Sequence, residues 1–199
     1  KQRTECDWLL HLDADEFLCP GDIARALETV PAHVTAVRIP NGERAFLASR
    51  PQTSLFDGVM LMPLGGPRRL ARIRGPEVAE YSRGGFLAHN QGKVAIRVDS
   101  PAEAGIHRAR HAGDAGTVWS DTLRICHFDG MTALHWAVKT HRLTANGIGA
   151  VVRKGADAHR ARQVATVAAL GDDMDAIVDL HGRLRCLSDT TVNALSDLG

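Results

Sequence analysis

The sequence lacks the features that mark several large classes of protein. Its 199 residues carry a formal net charge of only +1, without the basic excess typical of nucleic-acid-binding proteins. No apolar run approaches the length of a membrane-spanning helix, and the first residues contain no apolar core of a signal peptide. We therefore expect an ordinary globular protein with no transmembrane segment and no nucleic-acid partner.

The cysteines are too scattered to suggest a zinc ribbon or a disulfide framework. Cys6, Cys19, Cys126 and Cys186 form no CxxC pair. An isolated cysteine is usually a small buried apolar residue, so a reducing cytoplasm is the default expectation. GxGxxG, P-loop, GxSxG and HExxH patterns are also absent, which leaves no signal for a dinucleotide site, a serine hydrolase or a helical zinc site.

Hydrophobic patterns predict a mixed α/β fold with a helical C-terminal region. Asp22 is a good N-cap for a helix that ends at Pro31, and Pro40-Asn41-Gly42 is typical of a turn. From there to residue 92 we expect loops with short elements between them. The apolar run at 7–12 predicts a buried strand. Further strands are predicted at 34–39, 93–99 and within 118–127, and helices at 131–146, 156–170 and 173–187.

Two carboxylates follow directly after the first predicted strand. Asp13 and Asp15 are two residues apart, so in an extended backbone they point to the same side, about 6–7 Å apart. One can bind a cation while the other reaches the ion through water or holds a ligand beside it. Such oxygen ligands suit Mg²⁺ or Mn²⁺, which keep positions open for substrate phosphates. The pair therefore predicts a cation that stabilises charge on a departing diphosphate.

A bare Asp-X-Asp pattern recurs by chance, and the alternative interpretation is a polar strand end or a capping turn. Here Glu16 adds a third carboxylate at the end of a strand, the edge at which open α/β sheets bind ligands. Three clustered negative charges are unfavourable without a cation. This context favours the metal site.

The segment Trp8-Leu9-Leu10-His11-Leu12-Asp13-Ala14-Asp15-Glu16-Phe17-Leu18 resembles the W-(I/L)-X-X-X-D-X-D-E-F-(I/L) signature of family 2-like glycosyltransferases. The resemblance implies a GT-A fold, a mixed sheet flanked by helices. It also implies that Asp13 and Asp15 bind Mn²⁺ or Mg²⁺ and a nucleotide-sugar donor. The acceptor would be an unknown glycan, lipid or protein.

Two further patches are similar to elements of that family. His127-Phe128, ahead of a helix with Lys139 and Arg142, resembles an H-(Y/F) element, which implies that His127 completes the metal shell. A histidine that merely ends a strand is the alternative. Lys93 and Arg97 resemble a K-X-X-X-R strand, which would let them meet phosphate or acceptor. A solvated strand face is the alternative there.

The resemblance has limits. It weakens over residues 40–66, where the acceptor segment is expected, and the upstream βαβ units of a GT-A domain, on the order of 60 residues, are not in the sequence. We therefore expect an incomplete domain, with residues 1–146 forming the catalytic part and 147–199 a helical extension.

The predicted activity is hexosyl transfer, inverting by likeness to the family. Inversion needs a general base on the acceptor hydroxyl. Asp129 and Glu80 are the leading candidates, with Asp57 and Glu77 also eligible. The alternatives are a metal-dependent phosphohydrolase that uses His11, Asp13, Asp15 and His127, and a truncated chain that folds without catalysing a reaction.

Overall fold

The structure is a computed structural model that describes residues 6–19, 21–110, 116–145 and 158–197. The chain divides into two compact units. Unit 1 comprises Lys1–Gly42 and Asn90–His127, and unit 2 comprises Glu43–His89 and Phe128–Gly199. Both segments of unit 1 are needed to build one sheet, which is why the chain leaves this unit and returns to it.

Unit 1 is built around a four-stranded sheet of mixed direction. Its strands are β1 (Trp8–Leu10), β3 (Ala36–Ile39), β6 (Lys93–Arg97) and β9 (Thr117–Trp119), in the order β1-β6-β3-β9. β6 is antiparallel to both of its neighbours, whereas β3 and β9 are parallel. The central strand β6 is buried along nearly its whole length.

A second layer covers one face of this sheet. It contains the helix α1 (Ile23–Glu28) and the antiparallel pair β2 (Glu16–Cys19) and β10 (Arg124–His127). Their apolar side chains join one core with the sheet residues Val37, Ile39 and Ala95. A hairpin of β7 (Glu103–Ala104) and β8 (Ala109–Arg110) follows β6, and Ala102 and Ala109 pack against the sheet's other face.

Unit 2 is mainly helical. Its strands are β4 (Asn41–Leu47, whose first two residues belong to unit 1), β5 (Val59–Leu61) and β11 (Cys186–Leu187); β5 is antiparallel and β11 parallel to β4. Its helices are α2 (Pro67–Arg74), α3 (Pro76–Tyr81), α4 (Ala133–Ala145), α5 (Ala158–Leu170), α6 (Met174–Arg185) and α7 (Asp189–Ser196). Trp136, Val167 and Ile177 join α4, α5 and α6 in one core.

The prediction of a mixed α/β fold with C-terminal helices is confirmed. Asp22 caps α1 as expected, through a 3.2 Å bond from the Arg25 amide to Asp22 Oδ1. The predicted domain boundary at residues 146 and 147 lies outside the described residues. Within unit 2, α5 and α6 pack on α4, so these C-terminal helices share a core with residues assigned to the catalytic part.

Two expectations are wrong. Pro40-Asn41-Gly42 is not a turn, because β4 begins at Asn41, whose side-chain oxygen accepts a 3.1 Å bond from the Gly92 amide. The first strand is not buried, since Leu9 remains half exposed. Residues 41–92 contain two strands and two helices, which are short elements between loops, as expected.

No helix among the described residues is long and apolar enough to cross a membrane.

Candidate functional site in unit 1

The Asp-X-Asp segment is a tight turn between β1 and β2, closed by Glu16. The Glu16 amide donates to the Asp13 carbonyl at 3.1 Å, and Glu16 Oε2 accepts from the Asp13 amide at 2.9 Å. Glu16 is buried, whereas the Asp13 side chain is 45% exposed. The third acid of the motif therefore shapes the turn that presents the other two.

The cation that faces this turn is Lys93. Its ammonium lies 2.7 Å from Asp13 Oδ2 and 2.9 Å from Glu16 Oε2. The contact follows from topology: β1 runs antiparallel to β6, with Leu10 opposite Ala95, so the chain leaving β1 passes the start of β6. Lys93 is fully buried, so the alternative of a solvated strand face is wrong for this residue.

Lys93 also affects the protonation of Asp13. Partial burial by itself would raise the pKa of the Asp13 carboxyl, but the hydrogen bond and the charge of Lys93, with a smaller contribution from His11, lower it below the ordinary value. His11 Nε2 lies 3.3 Å from Asp13 Oδ1. Asp13 is therefore an ionised acid whose two oxygens already have partners.

Asp15 contacts His127, the histidine that was predicted to complete the metal shell. His127 Nε2 lies 3.6 Å from Asp15 Oδ2. The strand pair explains the contact. β2 and β10 are antiparallel, Glu16 lies directly opposite His127, and Asp15 is the residue just before Glu16. His127 is buried and Asp15 is largely so. A carboxylate oxygen and an imidazole nitrogen thus converge on one point.

This pair has the chemistry of a divalent-cation site. Carboxylate oxygen and neutral imidazole together suit Mn²⁺ somewhat better than Mg²⁺, which prefers oxygen alone. Glu16 adds a carboxylate oxygen within 4.8 Å of a ring nitrogen of His127. The donor set of unit 1 therefore fits one such ion at Asp15 and His127, with Asp13 facing solvent beside it.

A disulfide between Cys19 and Cys126 joins the two strands that carry these ligands. The expectation of unpaired cysteines is wrong for this pair, because antiparallel pairing brings them diagonally opposite each other across 107 residues of sequence, with a Cα–Cα distance of 6.0 Å. Cys126 directly precedes His127. The covalent link therefore fixes the register that sets His127 beside Asp15.

Arg97, the second predicted phosphate contact, is not brought to this turn. Its guanidinium donates to the carbonyl oxygens of Val34 at 2.9 Å and Val30 at 2.8 Å, and it stacks 4.4 Å from the centre of the Trp8 ring. It ties the end of the α1 segment to the sheet. Both cations of the K-X-X-X-R pattern thus have partners inside unit 1, and their phosphate role stays a prediction.

The leading candidate for a general base, Asp129, lies in unit 2 and is fully buried. Its Oδ2 accepts from Arg185 at 2.8 Å, and its Oδ1 lies 2.5 Å from Lys139 and 3.6 Å from Arg160. Arg185 also reaches Glu43 at 3.3 Å. Carboxylate oxygens held by several cations suit a structural anchor better than a proton acceptor.

The other base candidates are surface carboxylates of unit 2 with partners of their own. Glu80 pairs with Arg162, and Glu77 forms a two-bond contact with Arg183 at 3.1 and 3.2 Å. Hydrogen bonds from the backbone and hydroxyl of Thr53 and from the Ser54 amide lower the pKa of Asp57, which closes a loop turn. Their role as a base remains a prediction.

Sequence reasoning missed the role of Glu16, the burial of Lys93 and the link between Cys19 and Cys126. The alternation of β6 gave the correct face for Lys93 but not its burial, because nothing local signals that β2, β10 and α1 cover that face. For the cysteines there was no signal in the sequence, because the strand that carries Cys19 was not predicted. No protein-family model, curated protein or solved structure matches this chain.

Proposed function

We propose that this chain is the metal-binding part of a GT-A glycosyltransferase, which transfers a hexose from a nucleotide-diphosphate sugar with a divalent cation at Asp15 and His127. The observation that carries the proposal is the 3.6 Å approach of His127 Nε2 to Asp15 Oδ2. The two residues are 112 positions apart in the sequence, and the resemblance implies that both are metal ligands.

The charge of the turn supports a cation there. Asp13, Asp15 and Glu16 bring three carboxylates together, and Lys93 supplies one buried positive charge against them. Clustered carboxylates repel one another, and the repulsion is strongest where water is excluded. A divalent ion at Asp15 and His127 would offset the remaining negative charge.

The function assigns a separate task to each group. Asp15 and His127 hold the ion, and the exposed Asp13, fixed by Lys93, lines the space beside it. The ion supplies Lewis-acid stabilisation to a departing nucleoside diphosphate. A cation–carboxylate site next to a solvent-facing acid is suited to a donor that carries two phosphates and sugar hydroxyls.

Calorimetric titration with MnCl₂ tests the proposal. We expect one bound Mn²⁺ and a loss of affinity of about tenfold or more for Asp15→Asn and for His127→Gln. Asp99→Asn is the matched control, since it removes the same charge from an exposed position of unit 1. Uridine or guanosine diphosphate should then bind with Mn²⁺ and fail to bind in excess chelator. Metal-independent nucleotide binding would contradict the proposal.

A phosphohydrolase is the second candidate, and the 3.3 Å approach of His11 Nε2 to Asp13 Oδ1 favours it. That pair could serve an acid–base step on a phosphate ester. Release of phosphate from p-nitrophenyl phosphate with Mn²⁺, abolished by His11→Gln, would support the hydrolase. Hydrolysis confined to nucleotide sugars would support the transferase. A chain that binds neither ion nor nucleotide would fit the non-catalytic alternative.

A further inference from the structure

We infer that Lys93 is a built-in cation that occupies Asp13 and Glu16 and so restricts the acidic turn to a single divalent ion at Asp15 and His127. This inference rests on the proposed function for the identity of the ion. It gives Lys93 a positioning role in place of the phosphate contact that the resemblance implies. The ligand is a divalent cation, and the acidic turn binds one such ion.

Contacts and burial support this role. The Lys93 ammonium touches one oxygen of each acid, at 2.7 Å for Asp13 and 2.9 Å for Glu16, and has no solvent exposure. Glu16 Oε2 also accepts from the Asp13 amide, so lysine, backbone and carboxylate close one ring. A side chain held in this way cannot swing out to a phosphate without leaving a buried carboxylate uncompensated.

The position of Lys93 in the fold fixes the ammonium. β6 is the central strand of its sheet, flanked by β1 and β3, and Lys93 stands opposite Ile39. Ala95, two residues further along β6 and on the same face, belongs to the core that also contains Leu27 of α1. The charge is therefore carried on a rigid, buried element, which is what preorganisation of a binding turn requires.

The fixed positive charge of Lys93 limits how many divalent ions the acidic turn can bind. A second divalent ion at Asp13 and Glu16 would lie next to the fixed ammonium, and like charges at contact distance in a poorly solvated site repel strongly. Asp15 lies on the other side of the cluster, with its Oδ2 3.6 Å from His127 Nε2. The lysine thus blocks one half of the acid cluster and leaves the other half to a metal.

Arg97 provides a matched control on the same strand. It is also a cation that points from β6, but its partners are the carbonyl oxygens of Val30 and Val34 and the ring of Trp8. Replacing either residue with methionine removes one positive charge and keeps an apolar stem. Only the Lys93 change removes the charge from the acidic turn.

The experiment compares Lys93→Met, Arg97→Met and the unaltered chain by Mn²⁺ titration and by thermal unfolding with and without Mn²⁺. We expect Lys93→Met to bind a second Mn²⁺, or the first about tenfold more tightly, because Asp13 and Glu16 lose the cation that they share. Its melting temperature should fall without metal and recover with Mn²⁺. Arg97→Met should keep the stoichiometry and affinity of the unaltered chain. Equal metal binding by all three proteins would overturn the inference.

Asp13→Asn keeps the test decisive if Lys93→Met does not fold. With Lys93 still paired to Glu16, this variant should still bind one Mn²⁺ at Asp15 and His127. Loss of binding would make Asp13 a metal ligand and refute the inference.

The two proposals fail in different ways. If the unaltered chain binds no Mn²⁺ and Lys93→Met does, the proposed function fails, and only the part of the inference in which Lys93 occupies Asp13 and Glu16 stands. If the unaltered chain binds Mn²⁺ through Asp15 and His127 and Lys93→Met matches it, only the role of Lys93 fails.

Discussion

Each unit contains a cluster of buried charge, and the two clusters differ in sign. In unit 1 two carboxylates of one turn, Asp13 and Glu16, share a single buried ammonium, and Asp13 reaches solvent. In unit 2 the buried carboxylates Glu43 and Asp129 are bridged by Arg185, and Asp129 also meets Lys139 and Arg160. The first cluster is short of positive charge and the second is well supplied.

The difference teaches that an acid's position in the sequence says little about its task until its partners are known. Asp15 and Asp129 both sit next to a strand end, and both were selected from the sequence as site residues. Asp15 converges with an imidazole, whereas Asp129 is fully buried among cations. The cluster of unit 1 leaves one acid at the surface, whereas that of unit 2 joins its helices to residues of β4.

The largest effect is expected from breaking the cluster of unit 2. Arg185→Met leaves Glu43 and Asp129 buried without their shared cation, which should lower the free energy of unfolding by about 3–5 kcal/mol. Arg183→Met, two residues earlier on α6, removes an exposed cation and should change it by less than about 1 kcal/mol. Urea denaturation of the two variants gives the comparison. Similar losses would mean that the buried network is not structural.

The disulfide of unit 1 is expected to have the next largest effect. Breaking the Cys19–Cys126 link by Cys19→Ser should lower the free energy of unfolding by about 2–4 kcal/mol. Cys6→Ser, at an exposed cysteine outside the disulfide, is the control and should change little. A thiol count on the unreduced, denatured chain should find two of the four cysteines. Four reactive thiols, or equal stability of both variants, would contradict the pairing.

The smallest effect is expected from acid titration of unit 2. Burial, with the nearby charges of Arg185 and Arg44, lowers the pKa of His181 to about 4, although the Gly130 carbonyl and Asp129 act in the opposite direction. The unfolded chain takes up this proton near pH 6.5, so the contribution to stability is complete above that pH and is lost as the pH falls towards 4. At pH 5.5 we expect a loss of about 1.4 kcal/mol.

His181→Gln keeps an N–H donor for the Gly130 carbonyl and removes the titrating group, so this part of the acid sensitivity should disappear. His141→Gln, at an exposed position of α4, should leave the pH profile of urea denaturation unchanged. A profile that is the same in all three proteins would show that His181 is not the group responsible.

Periodic elements could be predicted from the sequence, and so could their ends where a side chain marks them. The helices at 158–170 and 174–185 lie within one or two residues of their expected bounds, and Asp22 and Asp173 cap helices as short acids do. The meeting of Asp15 and His127 was also expected. That contact could be predicted because Asp15 belongs to a long motif at the end of one predicted strand and His127 lies at the end of another.

The remaining features depend on contacts that no local pattern encodes. Pro40-Asn41-Gly42 has the residues of a turn, but the Asn41 side chain bonds to Gly92 and lets the strand begin. Lys93 alternates correctly along β6, but its burial depends on strands and a helix that cover it from elsewhere in the chain. Arg44 can be fully buried because the carbonyl oxygens of Leu55 and Met131 accept hydrogen bonds from its guanidinium.

The pairing of β2 with β10 has a consequence for how this site can change in evolution. Neighbouring residues on β10 face opposite sides, so Cys126 and His127 would exchange sides if a single residue were lost or gained just before the strand. A gained residue would present the Cys126 thiol in place of the imidazole opposite Glu16, and a lost residue would present the Phe128 ring. A thiol at that position would favour softer, thiophilic metals such as zinc.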